Sequence, residues 1–298
     1  AGDECPPRPN VSTRVGDVDD VTDETAEQRW SVVSLPGLSA VLIAVSAVIL
    51  FGIGTDLPEI KAWGYAPMLA GVGLAWTTTL SFARDLTVIA GALALISAIS
   101  VEANISWTNI LRMGIVLSAV VIGPFLVTRY WFKEKSIVYP RRHGVPWSKL
   151  EWAWLVFVVV VAWAVLPQYF IRTGVYLNWP AVTEWHEILR LFIGVNAVGL
   201  WDELFFICTV FALLRRHFDF WTANVLMSII FVSFLWELGY RSIGPLLTIP
   251  FALVQAVIFT RTKSLPYTVT VHLLFDAIVF LTIVSAHHPQ ALPIFIGV

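Results

Sequence analysis

The chain has 298 residues, of which 57% are hydrophobic and only 13% charged, with a mean hydropathy of +0.76 and a formal net charge of -2. A soluble domain carries about 25% charged residues, so this composition excludes an ordinary soluble enzyme and indicates a polytopic membrane protein. The 14 Trp agree, because indole rings favour the membrane interface and Trp30, Trp63, Trp107, Trp131, Trp147, Trp152, Trp179 and Trp185 stand at the ends of apolar runs.

Residues 1–34 hold Pro6, Pro7, Pro9 and the acidic run GDVDDVTDETAE, a composition that predicts a disordered, solvated tail. They lack an apolar core, so no signal peptide is expected. Apolar runs then follow at 35–54, 64–82, 86–101, 108–128, 152–171, 188–214, 219–238, 243–260 and 266–284, the third being the shortest. About 20 helical residues cross a hydrocarbon core of about 30 Å. Nine spans of α-helix are therefore expected, and no β-barrel, since the runs far exceed barrel strands.

Basic residues give the orientation. The 129–150 segment contains Arg129, Lys133, Lys135, Arg141, Arg142 and Lys149 against Glu134, and the connections at Arg215-Arg216 and Arg261-Lys263 are also basic. The connections with Asp56 and Glu59 and with Glu184 and Glu187 lean acidic. Nine crossings place all the basic connections on one side, and the positive-inside rule makes the tail cytoplasmic and the C-terminus external. The basic segment divides the chain into a four-helix membrane region (35–128) and a five-helix core (151–298), and its charge suits contact with anionic lipid.

The core carries all the candidate chemistry. Asp202 and Glu203 are adjacent in the sixth run, and His272 and Asp276 stand four apart on one face of the ninth. Each ionisable group at membrane depth costs about 2.5–3.5 kcal/mol on insertion scales, so such groups face a cavity or one another. Asn196, Gly199 and Glu203 recur on one stripe, with Asp202 displaced by about 100°. Two neighbouring acids cannot both ionise cheaply in a low-dielectric site, and such a pair suits general acid–base work or helix-to-helix hydrogen bonding equally. Glu237, near the end of the seventh run, is a cavity group or, better, an interface anchor. The remaining histidines, at positions 143, 186, 217, 287 and 288, lie at run ends and carry no signal. Cys5 and Cys208 are not expected to pair. There is no phosphate-cradling glycine loop, no H-E-x-x-H and no nucleic-acid patch.

The order of these groups resembles the CPBP family of intramembrane proteases, which includes the CAAX-prenyl proteases and bacteriocin-processing or immunity proteins. That family carries E-E-x-x-x-R, then F-x-x-x-H, then H-x-x-x-N/D in successive membrane helices. Here the first motif is Asp202-Glu203-Leu-Phe-Phe-Ile207, followed by Cys208 where the family has Gly; the second is Phe231-Val-Ser-Phe-Leu235; the third is intact as His272-Leu-Leu-Phe-Asp276, preceded by Arg-Thr-Lys-Ser-Leu at 261–265. The resemblance covers roughly residues 186–284.

It implies a water-activating pair at positions 202 and 235 and oxyanion assistance from His272 and Asp276, with some members metal-dependent and others glutamate proteases. Three positions depart from that pattern: Asp202 replaces the first Glu, Ile207 the Arg and Leu235 the His. Leucine neither polarises water nor binds metal, so no metal site is expected and zinc is disfavoured. A carboxyl retracted by over about 1 Å can lose about 100-fold in rate. The sequence therefore points to a pseudoprotease, a membrane subunit, scaffold or binding module with a membrane-protein partner. The cavity positions are Asn196, Leu235 and Glu237. The alternative is an active endopeptidase using Asp202, Glu203, His272 and Asp276. A transporter is a third reading, disfavoured by the absence of an inverted repeat.

Overall fold

The computed structural model describes residues 30–142, 144–290 and 292–295, so the acidic run and His143 lie outside the described residues. Among the described residues, nine principal helices follow one another, one for each apolar run. They are α1 (Leu35–Asp56), α2 (Tyr65–Ala75), α3 (Leu80–Ser97), α4 (Trp107–Trp131), α5 (Lys149–Arg172), α6 (Trp185–Arg215), α7 (Phe220–Leu238), α8 (Gly244–Thr262) and α9 (Leu265–His287). Short helical turns cover Pro58–Gly64 and Val175–Asn178, and no strand occurs among the described residues.

All but α2 are long and apolar enough to cross a membrane, which gives eight candidate spans plus one short helix. The 11 residues of α2 extend about 16 Å, half a hydrocarbon core. The shortest element is thus the second, where the sequence pattern pointed to the third. Threonines are the reason. Thr77 and Thr78 turn their hydroxyls back onto the Leu74 and Ala75 carbonyls at 2.7 and 2.6 Å, closing α2, and Thr79 takes an extended conformation that starts α3. The α3 helix then runs through Arg84 and Asp85, ahead of the apolar run at 86–101.

Helix starts follow local side-chain chemistry. Ser148 and Glu151 form a capping box at α5, Ser106 and Ser264 cap α4 and α9, and the Asp219 carboxylate accepts from Trp221 and Thr222 N–H groups at the start of α7. Those two backbone donors and the neighbouring Thr222 hydroxyl hold the Asp219 carboxyl below its ordinary range, the hydroxyl contributing most.

Contacts sort the connections into two ends of the bundle. At the basic end, Asp85 at the start of α3 pairs with Arg216 and His217, both at 2.7 Å, and Arg216 also pairs with Glu134 at 2.6 Å. Trp30 stacks on the His217 ring and donates its N–H to the His217 carbonyl, so the span 30–34, drawn with the tail on composition, is tied to the α6–α7 turn. His217, which sequence position left without a role, is 8% exposed and part of this clasp.

At the opposite end, Lys61 pairs with Glu237 at 3.2 Å, Arg241 with Asp56 at 3.3 Å, and Asn178 donates to the Gly239 carbonyl at 3.0 Å. His287 and His288 there contact the Trp179 and Val182 carbonyls. The connections alternate between the two ends along the chain.

The centre of the bundle is α6, with 72% of its most apolar window buried against 28% for α4. It lies between α7 and α9, and its Trp201, Phe205 and Phe206 interlock with Phe231 and Phe234 of α7. From Glu203 to Phe211 α6 widens into a π-helix, with the Thr209 hydroxyl donating five residues back to the Leu204 carbonyl. Such widened turns are rare and concentrate at functional sites.

Candidate active site

The π-helical stretch begins at Glu203, so the two acids of the first motif leave α6 where its turn widens. Both meet α9 through one imidazole. His272 Nδ1 lies 2.7 Å from Glu203 Oε1, while His272 Nε2 stands 3.7 Å from Asp202 Oδ2 and 3.9 Å from Asp276 Oδ1. The first contact is a hydrogen bond; the other two are too long for one. Glu203 Oε1 also accepts from Gln255 Nε2 of α8 at 2.7 Å. Glu203 thus fixes the ring of His272, and Nε2 is left facing two carboxyls.

Close approach of α6 and α9 depends on Gly199. A Cβ there would stand 1.9 Å from Asp276 Oδ2 and 3.3 Å from His272 Cδ2. Asp202, Glu203, His272, Asp276 and Gln255 are each at most 4% exposed. Their donors are few: one imidazole and one amide serve six carboxyl oxygens. Asp202 Oδ1, Glu203 Oε2, Asp276 Oδ2 and Gln255 Oε1 are buried without a hydrogen-bond partner. A buried polar atom left unpaired costs about 1–3 kcal/mol, more where charge is involved. The site is therefore rich in acceptors and costly to keep.

Beside it lies a cavity of about 370 Å³ lined by Asp202, His272 and Asp276 and by Leu235, Trp201 and Tyr240. Leu235 of the second motif is 6% exposed and faces the cavity shared by the other two motifs. Ile207, at the position of the family's Arg, is 1% exposed within the apolar core.

Two of the cavity positions read from sequence fall elsewhere. Asn196 turns its amide back onto the Phe192 carbonyl of its own helix at 2.8 Å and does not line the cavity; its stripe carries Gly199 inward and leaves Asn196 at the edge. Glu237 is buried against Lys61 and the Val101 N–H, at the junction with the α1–α2 and α3–α4 connections.

Gln255 and Tyr240 escaped the sequence reading. A lone amide in the apolar run of α8 was the available signal for the first. Tyr240, in the α7–α8 connection, carried none. Burial, and then the Asp276 and Asp202 carboxyls beside it, push the Tyr240 hydroxyl well above its ordinary range.

A catalytic zinc site uses three protein ligands, commonly two or more of them histidines. Here the only imidazole spends one nitrogen on Glu203, and the second-motif position offers a leucine. Among the described residues, no group of three or more His, Cys, Asp or Glu side chains is arranged to hold a metal ion. The donor set does not fit zinc.

The family model described as type II CAAX prenyl endopeptidase Rce1-like matches residues 184–278, about a third of the chain. That interval runs from the start of α6 into α9 and contains all three motifs. No curated protein and no solved structure matches the chain. The resemblance carried by the motifs is thus supported by the family model, and the chain is a multi-pass membrane protein with a CPBP/CAAX-protease-like core.

Proposed function

We propose that this protein is a pseudoprotease, a membrane subunit or scaffold that keeps the protease-like core for binding and not for hydrolysis. The observation that carries the reading is Leu235, an alkyl side chain in the cavity wall beside Asp202 and His272. Water attack on an amide needs a base that touches the water and a donor for the developing oxyanion. Glu203 is held by His272 and Gln255 behind the cavity wall, and Asp202 stands 3.7 Å from the Nε2 of His272, too far for a hydrogen bond. General acid–base assistance is worth about 10²–10⁴-fold in rate, and alignment adds to it. A leucine supplies neither.

The positive-inside rule supports a cytoplasmic basic end and an external C-terminus. On this reading the acids join helices, and a membrane-protein partner uses the cavity or the lateral surface of the bundle. The test is the isosteric pair Asp202→Asn and Glu203→Gln, each measured for insertion, folding, co-purifying partners and cellular phenotype. Retained phenotype with retained assembly is expected. Loss of phenotype in a variant that inserts and assembles normally overturns the reading and installs the endopeptidase based on Asp202, Glu203, His272 and Asp276.

A further inference from the structure

We propose that the cavity beside Asp202 and Asp276 binds a small organic ammonium ligand, an amine carried on an apolar body. The inference rests on the non-catalytic reading above and names the ligand class of the same site.

Size is the first consideration. About 370 Å³ falls within the roughly 300–1,000 Å³ range of small-molecule sites. The cavity reaches from the α3–α4 connection at Glu102 and Ile105 to Asp202 and Asp276, near the midpoints of α6 and α9. Along α6, the lining residues Leu191 to Asp202 span about 16 Å of helix axis. That is room for a compact body with one polar end.

The walls and floor then select the polar end. The walls include Trp107, Trp179, Trp201, Tyr240, Phe251 and Phe275, aromatic rings whose faces attract a positive charge. The floor is acid-lined: Asp202 and Asp276, 2% and 4% exposed, both line the cavity, and each has one oxygen buried without a hydrogen-bond partner. His272 has one ring nitrogen committed to Glu203 and stands 3.7 and 3.9 Å from these carboxyls through the other. A ligand that brings its own N–H donors and a positive charge satisfies this floor. A carboxylate would meet two acids there, and a hydrocarbon would leave the acceptors unpaired.

The other charged groups around the cavity agree. Arg190 at the rim is already engaged, donating to the Ile105 carbonyl at 3.3 Å and lying over the Trp107 ring at 5.3 Å. Glu102 lines the same rim. Burial first, and then Asp276 and Asp202, raise the Tyr240 hydroxyl at the cavity wall. Gly199 completes the site, because any side chain there would displace the Asp276 carboxyl.

The experiment uses the full chain, purified in detergent, titrated with cyclohexylmethylamine and, separately, with cyclohexylmethanol and cyclohexanecarboxylate. Thermal unfolding and the fluorescence of the cavity tryptophans are followed. The amine is expected to raise the melting temperature saturably and to shift the fluorescence, while the alcohol and the carboxylate leave both unchanged. Asp202→Asn combined with Asp276→Asn should weaken amine binding tenfold or more. If the double variant does not fold, each single variant should weaken it severalfold.

Equal effects of the alcohol and the amine, or unchanged amine affinity in the Asn variants, overturn the proposal. So does the absence of any saturable amine effect. None of these results restores peptidase activity, and peptide cleavage by the wild type would overturn the non-catalytic reading without altering the amine titration. The two failures are therefore separable.

Discussion

Gly199→Ala is the change to which the α6–α9 contact should be most sensitive. The added Cβ would lie 1.9 Å from Asp276 Oδ2, 3.0 Å from its Cγ and 3.3 Å from His272 Cδ2. Rotating Asp276 away relieves the worst contact, but it removes a carboxyl from beside His272 Nε2 and leaves the imidazole crowded. Moving the helices apart instead disturbs the Glu203–His272 hydrogen bond. Inserting one methyl into a tight interface costs about 1–3 kcal/mol.

The control is Gly91→Ala in α3, where an added Cβ meets nothing within 4 Å. Alanine there should stabilise by about 0.5–1 kcal/mol, the ordinary advantage over glycine in a helix interior. The two variants should therefore move in opposite directions in thermal unfolding of the detergent-purified protein followed by far-ultraviolet circular dichroism. If Gly199→Ala melts with or above Gly91→Ala, α6 and α9 do not meet as closely as the site geometry requires.

Further predictions concern the ends of the bundle. Lys61→Met removes the cation from a Glu237 side chain only 5% exposed and should destabilise by about 1–3 kcal/mol; Glu237→Gln in the same background should recover part of that, and a neutral Lys61→Met would remove Glu237 as an anchor. Asp219→Ala should cost about 1 kcal/mol at neutral pH through the lost α7 cap. Because the folded Asp219 carboxyl titrates below its unfolded value, its contribution is present above about pH 4 and fades as pH falls through the lower folded value. The wild-type advantage over Asp219→Ala in melting temperature should shrink on acidification, and an advantage that grows would contradict the sign. For topology, Lys135→Cys and Leu177→Cys, each in a Cys5→Ser background, should label from opposite faces of sealed membranes, with Lys135→Cys reached from the cytoplasm. Labelling of both from one face rules out the nine-crossing arrangement.

Most of the fold was legible because lipid leaves the chain few choices. Apolar runs long enough to cross must be helical, and caps such as Ser148 with Glu151 mark their starts. The second and third runs were misjudged because hydropathy does not register what Thr77, Thr78 and Thr79 do. Two hydroxyls folded back on their own helix end α2, whereas Asp85, ahead of the apolar run, is held inside α3 by Arg216 and His217. That pairing joins residues 131 positions apart and leaves no local trace.

The meeting of Asp202, Glu203, His272 and Asp276 was suggested by the motifs and by the cost of each group at membrane depth. The handedness of the meeting was not. A regular helix would separate Asp202 and Glu203 by about 100°, and the π-helical widening at Glu203, with Gly199 one turn earlier, is what sets both acids around one imidazole. Asn196 misled because a regular stripe was drawn through a helix whose neighbours cover only part of it.

On the proposed reading the core binds but does not cut. The direct measurement is cleavage of isoprenylated peptides ending in a CAAX motif by the full chain reconstituted in liposomes, compared with Glu203→Gln at equal protein. The account predicts no product from the wild type above the Glu203→Gln background, over incubations long enough to detect a rate reduced by about 10⁴-fold, the upper range for lost acid–base assistance. Product that accumulates with wild-type protein and disappears with Glu203→Gln, while both fold and insert alike, would contradict it.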